Sequence, residues 1–211
     1  MAVAETVALV DYGAGNLRSV ANALAVAGNG RDFNVVTTSD PDQVRRADRV
    51  ILPGVGAFGQ CASALHGLAG MVEALEEAVI GRAAPFLGIC VGMQLMATRG
   101  HEHGVHQGLG WIEGEVIRLA PQDRTLKIPH MGWNRIDPQR DHPLVAPGEA
   151  YFVHSFHFAV TDEAQRIATT DYGGPVTAAV AHANLLGVQF HPEKSQRYGL
   201  ALLDHFLDWR P

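Results

Sequence analysis

Gly88-Ile89-Cys90-Val91-Gly92 sets a cysteine between two glycines, each two residues away. This is the form of a nucleophile elbow, G-x-nucleophile-x-G, with cysteine in place of serine. An elbow needs a strand that turns sharply into a helix, with the reactive side chain at the crest. Side chains two residues either way would collide, so glycine is required there. Phe86-Leu87 gives an apolar strand leading in, and Met93, Leu95 and Met96 give a helix-like pattern leading out. A helix N-terminus at Cys90 favours thiolate over thiol. The backbone N–H of Val91 would point at an oxyanion developing on an attacked carbonyl. The competing reading is that Cys90 is a small buried hydrophobe at a strand end. Cys61 lacks flanking glycines and reads as packing.

A cysteine nucleophile needs a base, and the base an orienting group. With 11 histidines in the chain, a histidine alone is no signal. His191 has a suggestive setting: the strand-like Val188-Gln189-Phe190 delivers His191-Pro192-Glu193. In extended chain, residues two apart share a side, so imidazole and carboxylate can face one cleft. The other reading of this His-x-Glu is a solvated surface turn. Leu52-Pro53-Gly54-Val55-Gly56-Ala57-Phe58-Gly59 is a glycine-rich loop whose backbone N–H groups could approach a ligand and supply a second oxyanion donor. It lacks the Lys-Ser/Thr ending of a phosphate-binding P-loop. It is otherwise a plain strand-to-helix turn.

These segments need a scaffold that brings them together. In the first half, strand-like runs at Val7–Val10, Val35–Val36, Arg49–Leu52 and Pro85–Ile89 alternate with helix-like stretches. One helix opens at Asn16 with Leu17, Val20, Leu24 and Ala27 on one face and stops at Gly28 and Gly30. Another is capped by Asp40 before Pro41. Met71–Ile80 reads as a third, and Arg45, Arg46 and Arg49 as a solvated helix end. Such alternation implies a parallel sheet covered on both faces, with ligands at the carboxyl ends of its strands. The second half has strands in series: Trp111–Leu119, Lys127–Ile136, Tyr151–Val160, Val176–Ala181 and Leu185–Phe190. Asp137-Pro138 and Asp171–Pro175 read as turns, the pattern of antiparallel pairing. A closing helix runs over Ser195–Trp209 with Ser195 as a cap. With no repeat or linker, residues 1–211 read as one mixed α/β domain.

Composition narrows the partners. Charged residues are 18% of 211 and the net charge is −6, with only 16 Lys and Arg, so neither nucleic acid nor an acidic membrane surface is expected. The charge deficit suggests a large interior or a surface that another protein covers. No apolar run reaches the roughly 18 residues a membrane helix requires. The start, MAVAETVALVDYG, reads as a first strand and not as a signal peptide. Two cysteines are too few for a disulfide framework, so a reducing, cytoplasmic compartment is expected. His101, His103 and His106 cluster with Glu102, but match no zinc spacing and read as a solvated loop. Trp111 and Trp209 read as packing. Trp133, between Gly132 and Asn134, is expected at an interface. No metal or cofactor is called for.

PGVGAFG (53–59), GICVGMQ (88–94) and QFHPEKS (189–195) together resemble, in order, three blocks of the class I, triad-type glutamine amidotransferases. The resemblance covers nearly the whole chain. It implies a flavodoxin-like α/β fold with a central, mostly parallel sheet flanked by helices and extra antiparallel strands in the second half. It also implies a Cys90–His191–Glu193 triad that hydrolyses L-glutamine to glutamate and ammonia through a cysteine thioester. Oxyanion donors would be Val55 and Val91. Glutamine would lie against Gly54, Gly56, Gln94, Glu102, His154, Ser155 and Phe156. The family usually has Tyr after His-Ser, where this chain has Phe156. Within the family, DYGAGNLRSV (11–20), KIPHMGWN (127–134) and YFVHSF (151–156) are similar to the glutaminase subunits of imidazole glycerol phosphate synthases. That likeness implies a separate (β/α)8-barrel cyclase as partner, contacted by Met131, Trp133, Asn134 and Lys194. The cyclase would use the ammonia to make imidazole glycerol phosphate and an aminoimidazole carboxamide ribotide. Such subunits are expected to be nearly idle until the liganded partner turns an amide of the Gly54–Gly56 loop inward. Pyridoxal phosphate, guanylate or anthranilate synthesis would keep the triad with another acceptor. A non-catalytic relative with a redox-sensing Cys90 is the further alternative.

Overall fold

The computed structural model describes residues 4–28 and 30–211. Met1-Ala2-Val3, part of the proposed first strand stretch, lie outside the described residues. In chain order the elements are β1 (Glu5–Val10), α1 (Leu17–Ala27), β2 (Phe33–Thr38), α2 (Pro41–Arg46), β3 (Arg49–Gly54), α3 (Phe58–Gly67) and α4 (Met71–Leu75). Then follow β4 (Phe86–Cys90), α5 (Val91–Gln94), β5 (Arg99–Gly100), β6 (His106–Gln107), β7 (Gly114–Arg118), β8 (His130–Pro138), β9 (Gly148–His154) and β10 (Phe156–Val160). The chain closes with β11 (Arg166–Asp171), β12 (Pro175–His182), β13 (Leu185–Val188) and α6 (Gln196–Asp208).

Nine strands form one sheet in the order β2-β1-β3-β4-β13-β12-β11-β8-β9. From β2 to β13 every pairing is parallel; from β13 to β9 every pairing is antiparallel. β3, β4 and β13 are buried at every position, as strands covered on both faces must be. α2 is capped as its sequence demands: the Asp40 carboxylate accepts from Asp42 N at 2.9 Å, with Pro41 in the first turn. A second sheet, β10-β7-β5-β6, stands beside the first.

Several sequence expectations change. Tyr151–Val160 is not one strand. It breaks at Ser155, where the chain leaves the large sheet (β9) for the small one (β10). Alternating apolar residues continue across the break, so the pattern hides it. Met71–Ile80 begins as α4 but continues over Glu76–Gly81 as a π-helix. Asp137-Pro138 is the end of β8 and not a turn. β11 was not expected, because Arg166, Thr169, Thr170 and Asp171 make it read as polar. Asp171–Pro175 does join β11 to β12 as a hairpin.

Arg49 is not part of a solvated helix end. It starts β3 and is 1% exposed. Its guanidinium donates to the carbonyls of Phe206 (3.1 Å) and Trp209 (2.8 Å) at the end of α6, and its Nε lies 3.3 Å from the Glu5 carboxylate. A buried cation at a helix C-terminus complements the helix dipole and fills otherwise unbonded carbonyls. Ser195 stands at the N-cap position of α6, as expected, but its side chain makes no capping bond. Its hydroxyl donates to the His191 carbonyl (2.6 Å) and accepts from Tyr151 N (3.0 Å). No helix among the described residues is long and apolar enough to cross a membrane.

Candidate active site

The carboxyl ends of β3, β4 and β13, neighbours in the parallel half, converge on a cavity of about 490 Å³. Cys90 is the last residue of β4, and its backbone has φ 55°, ψ −111°, a conformation L-residues rarely hold. The flanking glycines are explained by close backbone approach. A Cβ on Gly92 would sit 1.7 Å from the Leu52 carbonyl oxygen, and one on Gly88 would be 2.8 Å from the Gly92 carbonyl oxygen. The elbow is therefore wedged against β3, and strand-to-helix strain is held by packing on both sides. The helix that follows is a single turn, so its dipole is weaker than the sequence suggested. Val91 opens that turn, and its N–H has no carbonyl one turn earlier to bond.

His191 comes off the neighbouring strand β13. Its backbone N–H donates to the Tyr151 carbonyl (2.9 Å), and its carbonyl accepts from Lys194 N and Ser195 Oγ. Its Nδ1 lies 2.9 Å from the Glu193 carboxylate, and both side chains are almost fully buried. The approach is made by a 3₁₀ turn over Pro192–Lys194, not by the extended segment expected from the sequence. Nε2, on the far side of the ring, is buried without a hydrogen-bond partner. The Cys90 sulfur lies close enough to the ring to favour its protonated form. Burial disfavours the imidazolium. The Cys90 sulfur and the Glu193 carboxylate together outweigh it and push the His191 pKa up to about 9. At neutral pH the ring thus carries a proton that it can give to a leaving group.

Val55, Gly56, Val91, Gln94, Glu102, His154, Ser155, Phe156 and Lys194 line the same cavity as Cys90 and His191. Gly54 pairs with Cys90 beneath the elbow, and Glu193 stands behind His191. The peptide after Val55 is oriented by Cys61, whose thiol donates to the Val55 carbonyl at 3.5 Å. Glu102 accepts from Phe58 N (2.8 Å) at the start of α3, tying the glycine-rich loop to the cavity wall. The other members of its histidine cluster disperse: His101 bonds Glu115 (2.7 Å), and His106 packs over Gly59.

Sequence reasoning missed four contributors. Asn16, Pro129 and Val153 line the cavity, although Asn16 was read only as a helix start. Gln189 is wholly buried. Its Nε2 lies 3.7 Å from the Cys90 sulfur, and its Oε1 accepts from Gln94 Nε2 (3.0 Å). The fixed spacing of Gln189 two residues before His191 was on view, but nothing local says that an amide there reaches sulfur.

Met131 and Trp133 project from one face of β8 and are 62% and 48% exposed. Trp133 packs edge-on to Tyr151, and the Lys194 ammonium lies over the ring of the same tyrosine, 6.0 Å from its centre. Asn134 does not share this face. Its amide turns the other way, bonded to His130 and to the Asp171 carbonyl.

The model of the glutamine amidotransferase class-I family matches residues 8–208, and the chain belongs to that family. Among individual proteins, it is 61% identical to the imidazole glycerol phosphate synthase subunit HisH of Zymomonas mobilis, over 98% of this chain and 97% of that one. To the same subunit of Rhodospirillum rubrum it is 57% identical, over 97% and 99%. The fold is that of solved relatives: a chain in the structure of PurLQS from Thermotoga maritima superposes with TM-score 0.72 at 17% identity, over 97% of this chain and 98% of that chain.

Proposed function

We propose that this chain is the glutaminase subunit of an imidazole glycerol phosphate synthase, acting as a single amidotransferase domain in the cytoplasm and serving histidine biosynthesis. The observation that carries the chemistry is the arrangement at position 191: Nδ1 on Glu193, Nε2 unbonded beside Cys90, and the sulfur at a strained elbow. The identity of its relatives along their whole length supports the choice of acceptor.

In this reading Cys90 attacks the carboxamide carbon of L-glutamine as thiolate, and the carbonyl electrons move to oxygen. The N–H groups of Val91 and Val55 stabilise that oxyanion. His191 gives its proton to the departing nitrogen, which leaves as ammonia, and a thioester remains. The now neutral His191 takes a proton from water, the hydroxide attacks the thioester, and collapse releases glutamate and regenerates the thiolate. Glu193 holds the ring in one orientation throughout. Glu102 and Gln94 supply polar contacts for the amino-acid end of the substrate, with backbone from Gly54, Gly56, Ser155 and Phe156.

The partner is a (β/α)8-barrel cyclase that takes the ammonia directly, since ammonia in neutral water is mostly protonated and non-nucleophilic. Met131, Trp133 and Lys194, beside the cavity mouth, form the docking face; exposed aromatic and Met side chains are what interface cores use. Replacing Cys90 with Ala should abolish glutamine-dependent turnover of the reconstituted pair, by at least about 10⁴-fold, while ammonia-dependent cyclisation persists. Retained glutaminase activity in that variant would overturn the reading.

A further inference from the structure

Five hydrogen bonds running from β8 to the cavity wall determine where every proton in them sits. The Asn134 side-chain oxygen accepts from Arg135 N (2.8 Å), so its Nδ2 is the donor, and it also donates to the Asp171 carbonyl (2.8 Å). The same Nδ2 lies 3.2 Å from His130 Nε2, which must therefore be the bare, accepting nitrogen. His130 Nδ1 is 3.0 Å from His154 Nε2. At the other end, His154 Nδ1 is 2.9 Å from the Phe156 carbonyl oxygen, which can only accept. His154 therefore carries its proton on Nδ1 and accepts at Nε2, and His130 carries its proton on Nδ1. Read from either end, the chain gives the same two tautomers. A second proton on either ring would set one N–H against another. The rings are clamped as well: His130 stacks between Tyr172 (4.0 Å) and Phe152 (4.8 Å). Burial holds the His130 and His154 pKa values down, to about 4 and about 3, and the neighbouring imidazoles of His130, His157 and His191 further disfavour a charge on His154.

Both ring nitrogens of His154 are thus committed, which leaves none for glutamine. What they hold is the Phe156 carbonyl, one residue beyond the point where the chain changes sheets. That oxygen also accepts from Gln94 Nε2 (3.0 Å), which donates to Gln189, the residue whose amide faces the Cys90 sulfur. We propose that His130 and His154 are positioning residues for the glutamine pocket: two neutral Nδ1–H imidazoles in a one-way relay that fixes the Phe156 carbonyl, and through it the Gln94 and Gln189 amides beside Cys90. The kinetic part of this proposal rests on the glutaminase reading; the proton placement does not.

The test begins with the ¹⁵N-labelled full chain, reading histidine ring nitrogens by long-range ¹H–¹⁵N correlation from pH 5 to 8, with His130 assigned by its contacts to Tyr172 and Phe152. Both rings should show protonated Nδ1 and bare Nε2 throughout. An Nε2–H tautomer, or titration of either ring near its ordinary pKa, would overturn the relay. The second arm compares His130→Phe, which keeps the stacking but has no proton to pass, with His130→Gln, whose amide can accept from Asn134 and donate to His154. With partner present, His130→Phe should raise the KM for glutamine about tenfold, the scale of one lost buried hydrogen bond. Its kcat should fall less, and His130→Gln should recover most of the loss. Equal behaviour of the two variants would show a role in packing only. A wild-type chain without glutaminase activity would instead sink the functional reading and leave the tautomers standing.

Discussion

The parallel and antiparallel halves of the large sheet solve different problems. In the parallel half, β3, β4 and β13 are buried throughout, and the reactive groups sit where those strands end. In the antiparallel half, β8 alternates, with Met131 and Trp133 outside and His130 inside. One half has no spare volume and holds the strained backbone at Cys90. The other keeps a free face and uses its inner side for polar bonds. Strain persists only where surrounding atoms over-determine it, so the proposed chemistry belongs to the first half and the proposed recognition to the second.

The contrast breaks first at Gly92. Gly92→Ala places a methyl against the Leu52 backbone, which cannot turn aside as a side chain would. It should cost at least about 3 kcal/mol of stability and remove activity, read as a fall in the urea midpoint. A cost below about 1 kcal/mol would mean that the elbow is looser than its contacts indicate.

Trp133→Ala sharpens the other side. The unfolding free energy of the isolated chain should change by no more than about 0.5 kcal/mol. Affinity for the cyclase, measured by titration calorimetry, should drop roughly ten- to a hundredfold. Unchanged affinity would move the docking face elsewhere.

The smallest effect is a pH dependence whose two limbs belong to the two halves. Unfolded histidines bind a proton near pH 6.5, whereas native His130 and His154 resist until about 4 and about 3. The unfolded state therefore takes up more protons in that window, and stability is lost as pH falls from 6.5. His191 works the other way. Its raised pKa gives a contribution complete below 6.5 that disappears as pH rises through about 9. Urea midpoints should peak near pH 6.5, and His130→Phe should flatten the acid limb alone.

The first half of the fold and the convergence of Cys90, His191 and Glu193 were legible because each rests on local pattern: apolar runs, glycine spacing, and a histidine and glutamate two apart. What failed was non-local. β11 reads as polar because Thr169 and Thr170 face neighbours that the sequence does not name. Arg49 looks solvated until α6, some 160 residues later, brings its carbonyls to the guanidinium. Ser155 interrupts no pattern, yet two sheets part there. The His130–His154 pair is set by the register of β8 against β9, which places these residues opposite each other; KIPHMGWN and YFVHSF taken separately suggest only a partner face and a substrate strand.

The bond from Arg49 to the last turn of α6 also belongs to a cluster that brings Glu5 and Arg210 together. Glu5 pairs with both Arg49 and Arg210, so residues near either end lie side by side where β1 and β3 begin. That is the rim remote from the cavity. A fluorescent label attached beside Glu5 or Arg210 would therefore hang away from the cavity mouth.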